Sequence, residues 1–305
     1  MRLFDLHCDT LSEATDTGAA LAENSLAIDL RRGRRYENWT QTFAAFLPDG
    51  LSVTDARRRC ATLLDTAEDW RRACTEYRPV LTAADLRDET AICRALLSIE
   101  NGGVLAADYT GLAALHCRGV RMVGMTWNGD NTWGCGCFGS DEGLTAAGEQ
   151  AVRDLEALSI VVDVSHLNTC GFYQLEKLAK SPFVATHSNA AAVCPHPRNL
   201  TDEQFGIIRD RGGLVGLNLY GEHLGGWDFA AVQRHLEHFL SMDGERTVCF
   251  GTDLDGMTIP PTWNGIAIMQ GLWQYLRDRG YPDTLLDAVF YENARAFFAR
   301  VLENT

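Results

Sequence analysis

His7-Cys8-Asp9 is the first place in the chain where side-chain type and spacing suggest chemistry. Residues i and i+2 of an extended strand point to the same face, so an imidazole and a carboxylate here could reach one ion. Four further stretches carry the same kinds of group. They are Ser98-Ile99-Glu100-Asn101-Gly102, Val162-Asp163-Val164-Ser165-His166, Ala185-Thr186-His187-Ser188 and Gly251-Thr252-Asp253-Leu254-Asp255-Gly256. Glu100 has two carboxylate oxygens and could bridge two cations, with His166 and His187 supplying neutral imidazoles to the second. Mixed nitrogen and oxygen ligation with open positions suits catalytic zinc. Two zinc ions ~3.5 Å apart can share a hydroxide and polarise a carbonyl at neutral pH. Taken singly, each residue has a plainer reading. A strand-end histidine can be a structural hydrogen bonder, Asp9 can start a helix, Glu100 can pair with an arginine and Asp255-Gly256 can be a turn.

The elements that would have to position these groups are legible as an alternation. Short apolar runs fall at Leu3–Leu6, Thr42–Leu47, Ala95–Ile99, Arg121–Thr126, Ile160–Val164, Phe183–Thr186, Leu214–Leu219 and Val248–Gly251. Such runs suit strands covered on both faces, as in a parallel sheet. Helical spacing marks the stretches Thr54–Tyr77, Thr145–Leu158, Thr169–Ala179, Thr201–Arg211, Phe229–Met242, Gly265–Arg279 and Asp283–Leu302. Thr201 with Gln204 fits a capping box at one helix start. Glu13–Trp39 and Thr132–Gly143 read as long loops. Eight strands alternating with helices predict a single-domain (β/α)8 barrel over residues 1–305. An open doubly wound sheet is the alternative, but no Gly-x-Gly-x-x-Gly turn follows the first strand. His7, Asp9, Glu100, His166, His187, Asp253 and Asp255 all fall at the carboxyl ends of their strands, which converge on one face of a barrel. Unrelated structural residues would scatter. His116, His235 and His238 do scatter into helical segments and receive no role.

Bulk properties narrow the partners. Of 305 residues, 41 are acidic and 27 basic, a net charge of −14. An acidic surface repels phosphate backbones and anionic lipid, which argues against nucleic acid and membrane partners. No apolar run approaches the ~20 residues that span a bilayer, and no secretory leader is read before His7. The ten cysteines, several in apolar runs, read as reduced core residues of a cytoplasmic protein. Some barrel hydrolases bridge their metals with a carbamylated lysine on the fourth strand. The only two lysines here, Lys177 and Lys180, lie in the helix after the fifth, so a carboxylate such as Glu100 must take that place.

At these residues the chain resembles the renal (membrane) dipeptidase family of zinc peptidases, as a soluble bacterial-type member. The likeness rests on His7-Cys8-Asp9, Ile99-Glu100-Asn101-Gly102, Asp163-Val164-Ser165-His166, Thr186-His187-Ser188-Asn189, Arg198-Asn199 and Gly251-Thr252-Asp253-Leu254-Asp255-Gly256. It implies a (β/α)8 barrel, two zinc ions per chain and hydrolysis of dipeptides by a metal-bridging hydroxide, often with a D-residue at the C-terminal position. By that resemblance His7 and Asp9 hold one ion, Glu100 bridges, and His166 and His187 hold the other. Asp253 is the acid/base and Arg198 binds the substrate carboxylate. A homodimer is implied as well. The chain departs from the family's animal members where Trp127 replaces a histidine that polarises the scissile carbonyl. His223, with Tyr220 nearby, stands where the family has a tyrosine at the substrate carboxylate. Asp163 and Ser165 are candidate supports beneath the ligands, and Trp133 and Trp263 could wall the pocket or pack. A metal-dependent hydrolase of another amide or ester, a deaminase, and a non-catalytic metal-binding barrel are the competing readings.

Overall fold

The computed structural model of the chain describes residues 1–88 and 90–304. Its parallel strands are β1 Leu3–Asp5, β2 Trp39–Phe46, β3 Tyr77–Pro79, β4 Cys93–Glu100, β5 Val120–Gly124, β6 Val161–Asp163, β7 Val215–Leu217 and β8 Val248–Phe250. The hydrogen-bonded order is β6-β5-β4-β2-β1-β8-β7, and β3 pairs with β4 off that path. The stretch 183–186 fills the gap between β6 and β7 by single bridges, Val184 to Asp163 and Ala185 to Val215. Val184 N donates to Val162 O at 3.0 Å and Gly216 N to Ala185 O at 2.8 Å. The sheet thus curls into the expected (β/α)8 barrel, although its sixth stave is a bridge and not a regular strand.

Glycine explains how tightly that stave is held. A Cβ on Gly216 would lie 1.9 Å from the Thr186 carbonyl oxygen, and one on Gly251 would lie 1.7 Å from it. Both neighbouring backbones press on one peptide group, and only glycine allows that approach. Gly216→Ala is therefore expected to destabilise the fold by about 1–3 kcal/mol through overpacking. Thermal unfolding checks this, and an unchanged melting temperature would contradict the packing described.

Inside the ring, Phe4, Leu6, Leu96, Met122, Val161, Val184, Leu214 and Cys249 form an apolar plug with Tyr291, Phe297 and Phe298 of the last helical segment. The amino end of the barrel is thereby filled, and the clustered imidazoles and carboxylates lie at the carboxyl end. A larger apolar shell joins the helices to the outside of the sheet. The helix Val53–Ala73 contributes Ala56, Cys60, Leu63, Leu64, Ala67 and Trp70 at helical spacing. Thr201 and Gln204 form the reciprocal capping box that starts Asp202–Asp210.

Three expectations shift. The helix anticipated to Tyr77 ends at Ala73, and Tyr77 begins β3. The stretch 13–39 is not all loop, since it holds the end of Thr10–Thr17 and the short helix Leu30–Gly33. The last helix is broken by a π turn at Ala288–Glu292. All ten cysteines are free. Among the described residues, no helix is long and apolar enough to cross a membrane.

Candidate metal centre and active site

The carboxyl ends of the strands bring His7, Asp9, Glu100, His166, His187 and Asp253 into one cluster. His7 Nε2 is buried without a hydrogen-bond partner. Three carboxylates face it at distances too long for good hydrogen bonds: Asp9 Oδ2 at 3.4 Å, Glu100 Oε2 at 3.5 Å and Asp253 Oδ1 at 3.7 Å. The other oxygen of Glu100, Oε1, lies 2.9 Å from His166 Nε2 and 3.9 Å from His187 Nε2. Glu100 therefore stands between two groups of side chains with one oxygen turned to each.

Hydrogen bonds behind the imidazoles fix which nitrogens face inward. His166 Nδ1 lies 3.1 Å from Asn128 Oδ1, an atom that can only accept, so the proton sits on Nδ1. Thr186 Oγ1 donates to Asp163 Oδ2 at 2.6 Å and so accepts from His187 Nδ1 at 2.8 Å. Both histidines then present bare Nε2 lone pairs to each other, 2.9 Å apart, and to a carboxylate oxygen. No proton is left to relieve that repulsion. A cation would, and three carboxylates gathered around the single imidazole of His7 leave an excess of negative charge that a cation would balance as well. The residues present fit a metal centre, and His7-Glu100-His187 and His7-Asp9-Asp253 each bring their ligand atoms within 4.8 Å of one another.

Proton affinities divide the cluster: burial lowers His7, but Glu100 and Asp9 outweigh it and hold that imidazole well above its usual range, while the other two histidines move the opposite way. Burial, with Arg198 adding, pulls His166 down to about 4. Burial, then His7 and Arg198, pulls His187 well below the usual imidazole range, so both stay neutral and able to ligate. Burial raises Glu100, but His7 and His166 outweigh it and hold the carboxyl below its usual range. Burial pushes Asp253 up to about 8, with Asp9 and Glu100 adding and His7 and Arg198 opposing. Burial and Glu100 push Asp9 up to about 6. A carboxyl crowded this way is a reservoir for a proton until a cation balances its neighbours.

Two matching clamps lie under the cluster. Asp5 Oδ1 accepts from Thr252 N at 2.7 Å and Asp5 Oδ2 from Thr252 Oγ1 at 2.7 Å, joining β1 to the end of β8. Asp163 Oδ1 accepts from Thr186 N at 3.0 Å and Asp163 Oδ2 from Thr186 Oγ1, joining β6 to the sixth stave. Ser165 Oγ also donates to Asp163 Oδ1, at 2.6 Å. Asp163, held by Ser165, is thus linked to His187 through the hydroxyl of Thr186. Asp255 accepts from Thr10 Oγ1 at 2.6 Å and from Ala27 N at 2.7 Å, so it pins a loop and does not face His7. Asp253 itself has φ 62°, a left-handed conformation that aspartate tolerates better than most residues.

Residues 1–305 match the family model described as membrane dipeptidase, peptidase family M19. The chain belongs to the membrane dipeptidase family. With it, the chain is placed among the metal-dependent hydrolases of dipeptides. A crystal structure of a dipeptidase, a family M19 metallopeptidase, superposes with a TM-score of 0.92 at 28% identity, covering 99% of both chains. A metallopeptidase from Rhodobacter sphaeroides, liganded with a phosphinate mimic of the dipeptide L-Ala-D-Ala, superposes at 0.90 with 26% identity, also over 99% of both chains. An uncharacterized protein in the pqqA 5′ region of Klebsiella pneumoniae is 37% identical over 74% of this chain and 88% of its own length.

In this dipeptidase the cluster opens into a cavity of about 390 Å³ lined by Arg198, Trp127, His223 and Tyr220, together with Phe46, Phe138 and His196. Arg198 is buried, donates through Nη2 to His187 O at 3.3 Å and leaves Nη1 without a partner. Trp127 packs edge-on against Phe46 at 5.0 Å. His223 and Tyr220 rings are 4.7 Å apart. Trp133 is 2% exposed and packs in the core, and Trp263 packs against Trp227. Asn128, Thr186, His196 and Asn218 were given no role in the sequence reading of the site, although Thr186 stands in one of its motifs. Asn218 follows the end of β7, so the rule that singled out the other strand-end polar residues would have found it.

Proposed function

We propose that this dipeptidase cleaves a dipeptide at the barrel rim with two zinc ions, one held by His7 and Asp9, the other by His166 and His187, and Glu100 between them. The observation that carries the reading is the orphaned His7 Nε2 and the facing imidazole lone pairs, joined through opposite oxygens of one carboxylate. When bound, the ions supply Lewis-acid polarisation of the scissile carbonyl and acidify the attacking water. The chain's own residues do the rest. The free Nη1 of Arg198 engages the substrate's terminal carboxylate and sets its register. Asp253 takes the proton of the attacking water and returns it to the leaving amine. Trp127 offers an indole N–H and a flat wall but cannot titrate, so proton transfer rests on Asp253. His223 and Tyr220 border the carboxylate end of the cavity.

Residues 1–305 are proposed as one catalytic domain. Ten unpaired cysteines support a reducing, cytoplasmic setting. Family likeness supports a homodimer, which light scattering tests. A phosphinate mimic of an L,D-dipeptide on a similar structure supports substrates with a C-terminal D-residue. The decisive experiment is steady-state hydrolysis of matched L,L and L,D dipeptides by the zinc-loaded protein. Turnover of at least one series is expected, and none with metal bound would reject the peptidase reading. Arg198→Met is expected to raise KM roughly 10- to 100-fold, since a hydrogen bond to a charged group contributes about 1.5–3 kcal/mol, while kcat changes less. An unchanged KM would remove Arg198 from substrate binding.

A further inference from the structure

Asn218 is completely buried just after β7, on the segment that leads into the short helix Gly221–Leu224 carrying His223, and its side chain reaches Asp253 after β8. Its backbone is fixed by the Asn189 side chain, which accepts from Asn218 N at 3.1 Å and donates to Asn218 O at 3.2 Å. Its own amide can be oriented without ambiguity. Oδ1 accepts from Tyr220 N at 2.7 Å, so Nδ2 is the donor end. The two Nδ2 hydrogens have two partners, His223 Nδ1 at 3.1 Å and Asp253 Oδ2 at 3.4 Å.

Two consequences follow at the level of atoms. His223 Nδ1 must be an acceptor, so in the neutral ring the hydrogen sits on Nε2. Asp253 Oδ2 accepts from the second Nδ2 hydrogen, so the same amide holds that carboxylate and the His223 ring in one arrangement. We propose that Asn218 is a positioning residue of the dipeptidase: one buried amide fixes His223 as an Nε2–H donor toward the cavity and ties the Asp253 carboxylate to the end of β7. The kinetic half of this rests on the reading of Asp253 and His223 given above, while the tautomer half does not.

Asn218→Asp separates the idea from a packing role. The substitution keeps the size of the side chain and an oxygen for Tyr220 N, but turns the donor end into an acceptor. His223 must then carry its hydrogen on Nδ1. Nitrogen-15 spectra of histidine-labelled, zinc-loaded protein, assigned with His223→Gln, are expected to show an Nε2–H tautomer in the parent chain and an Nδ1-protonated ring in Asn218→Asp. Kinetically, Asn218→Asp is expected to lose roughly 10- to 100-fold in kcat/KM at unchanged metal content. In a His223→Phe background part of that loss should disappear, because residues that act through one another are not additive. An Nδ1–H tautomer in the parent, or full additivity in the double mutant, overturns the proposal. If Asn218→Asp does not fold, Asn218→Ala serves in the same cycle, with loss of the fixed tautomer as its signature. Should the parent cleave no dipeptide, the functional reading fails and the tautomer measurement still decides the role of Asn218.

Discussion

Asp253→Asn is expected to lower kcat about 10²- to 10⁴-fold while the protein keeps its fold and its metal, the range typical of losing a general acid/base. The substitution suits the question because asparagine accepts the left-handed backbone as readily as aspartate does, and φ at this position is 62°. Asp253 N still donates to His7 O, at 3.1 Å in the parent. What is lost is a carboxyl oxygen able to hold a proton during attack and release it to the amine. KM should move little, since Arg198 and not Asp253 is assigned to the substrate carboxylate. Elemental analysis, melting temperature and steady-state kinetics on one preparation provide the check. A variant that retains parental kcat with metal bound would show that another group carries the proton.

Glu100→Ala is expected to lose metal and activity together, with kcat/KM down by 10³ or more, on the order of 4 kcal/mol of transition-state stabilisation. Among the described residues, Glu100 is the carboxylate that faces both His7 and the His166–His187 pair, through Oε2 at 3.5 Å and Oε1 at 2.9 Å respectively. Its removal leaves each group with fewer ligands and no shared anion. Chelation of the parent protein should abolish turnover in the same way, with one difference: added zinc restores the parent but not the variant. Metal content by elemental analysis beside turnover before and after zinc addition makes the measurement. Full metal occupancy in Glu100→Ala, with activity near the parent's, would show that the carboxylate does not join the two groups.

How much of this was legible beforehand differs by the physics of each part. The converging strand ends were legible because a parallel barrel sends all of them to one rim. Five metal-binding candidates and Asp253 could be placed together without knowing a single contact. The sixth stave was legible as an apolar run, yet its bridge-like form depends on Gly216 and Gly251 crowding Thr186, a packing fact spread over three distant segments. β3 was hidden because Tyr77 ends a run at helical spacing. Its pairing with Cys93 is a long-range choice that local pattern does not encode. Asn128 was missed because an asparagine amide declares its role only through its partners, and Asn218, although it follows a strand end, because only imidazoles and carboxylates were sought there. Asp255 shared a motif with Asp253 but points toward Thr10 and Ala27, since one residue's turn in the backbone separates a site from a loop anchor.

The paired aspartate–threonine clamps have a consequence for how the rim behaves without its ions. Both grip the neighbouring strand through a main-chain N–H and a hydroxyl at once, directly under His7, His187 and Asp253. Neither clamp uses an atom proposed to bind metal. The hydrogen bonds that space the proposed ligands are thus separate from the atoms that would bind the ions. Chelation is expected to leave both clamps closed, so that turnover returns when zinc is added.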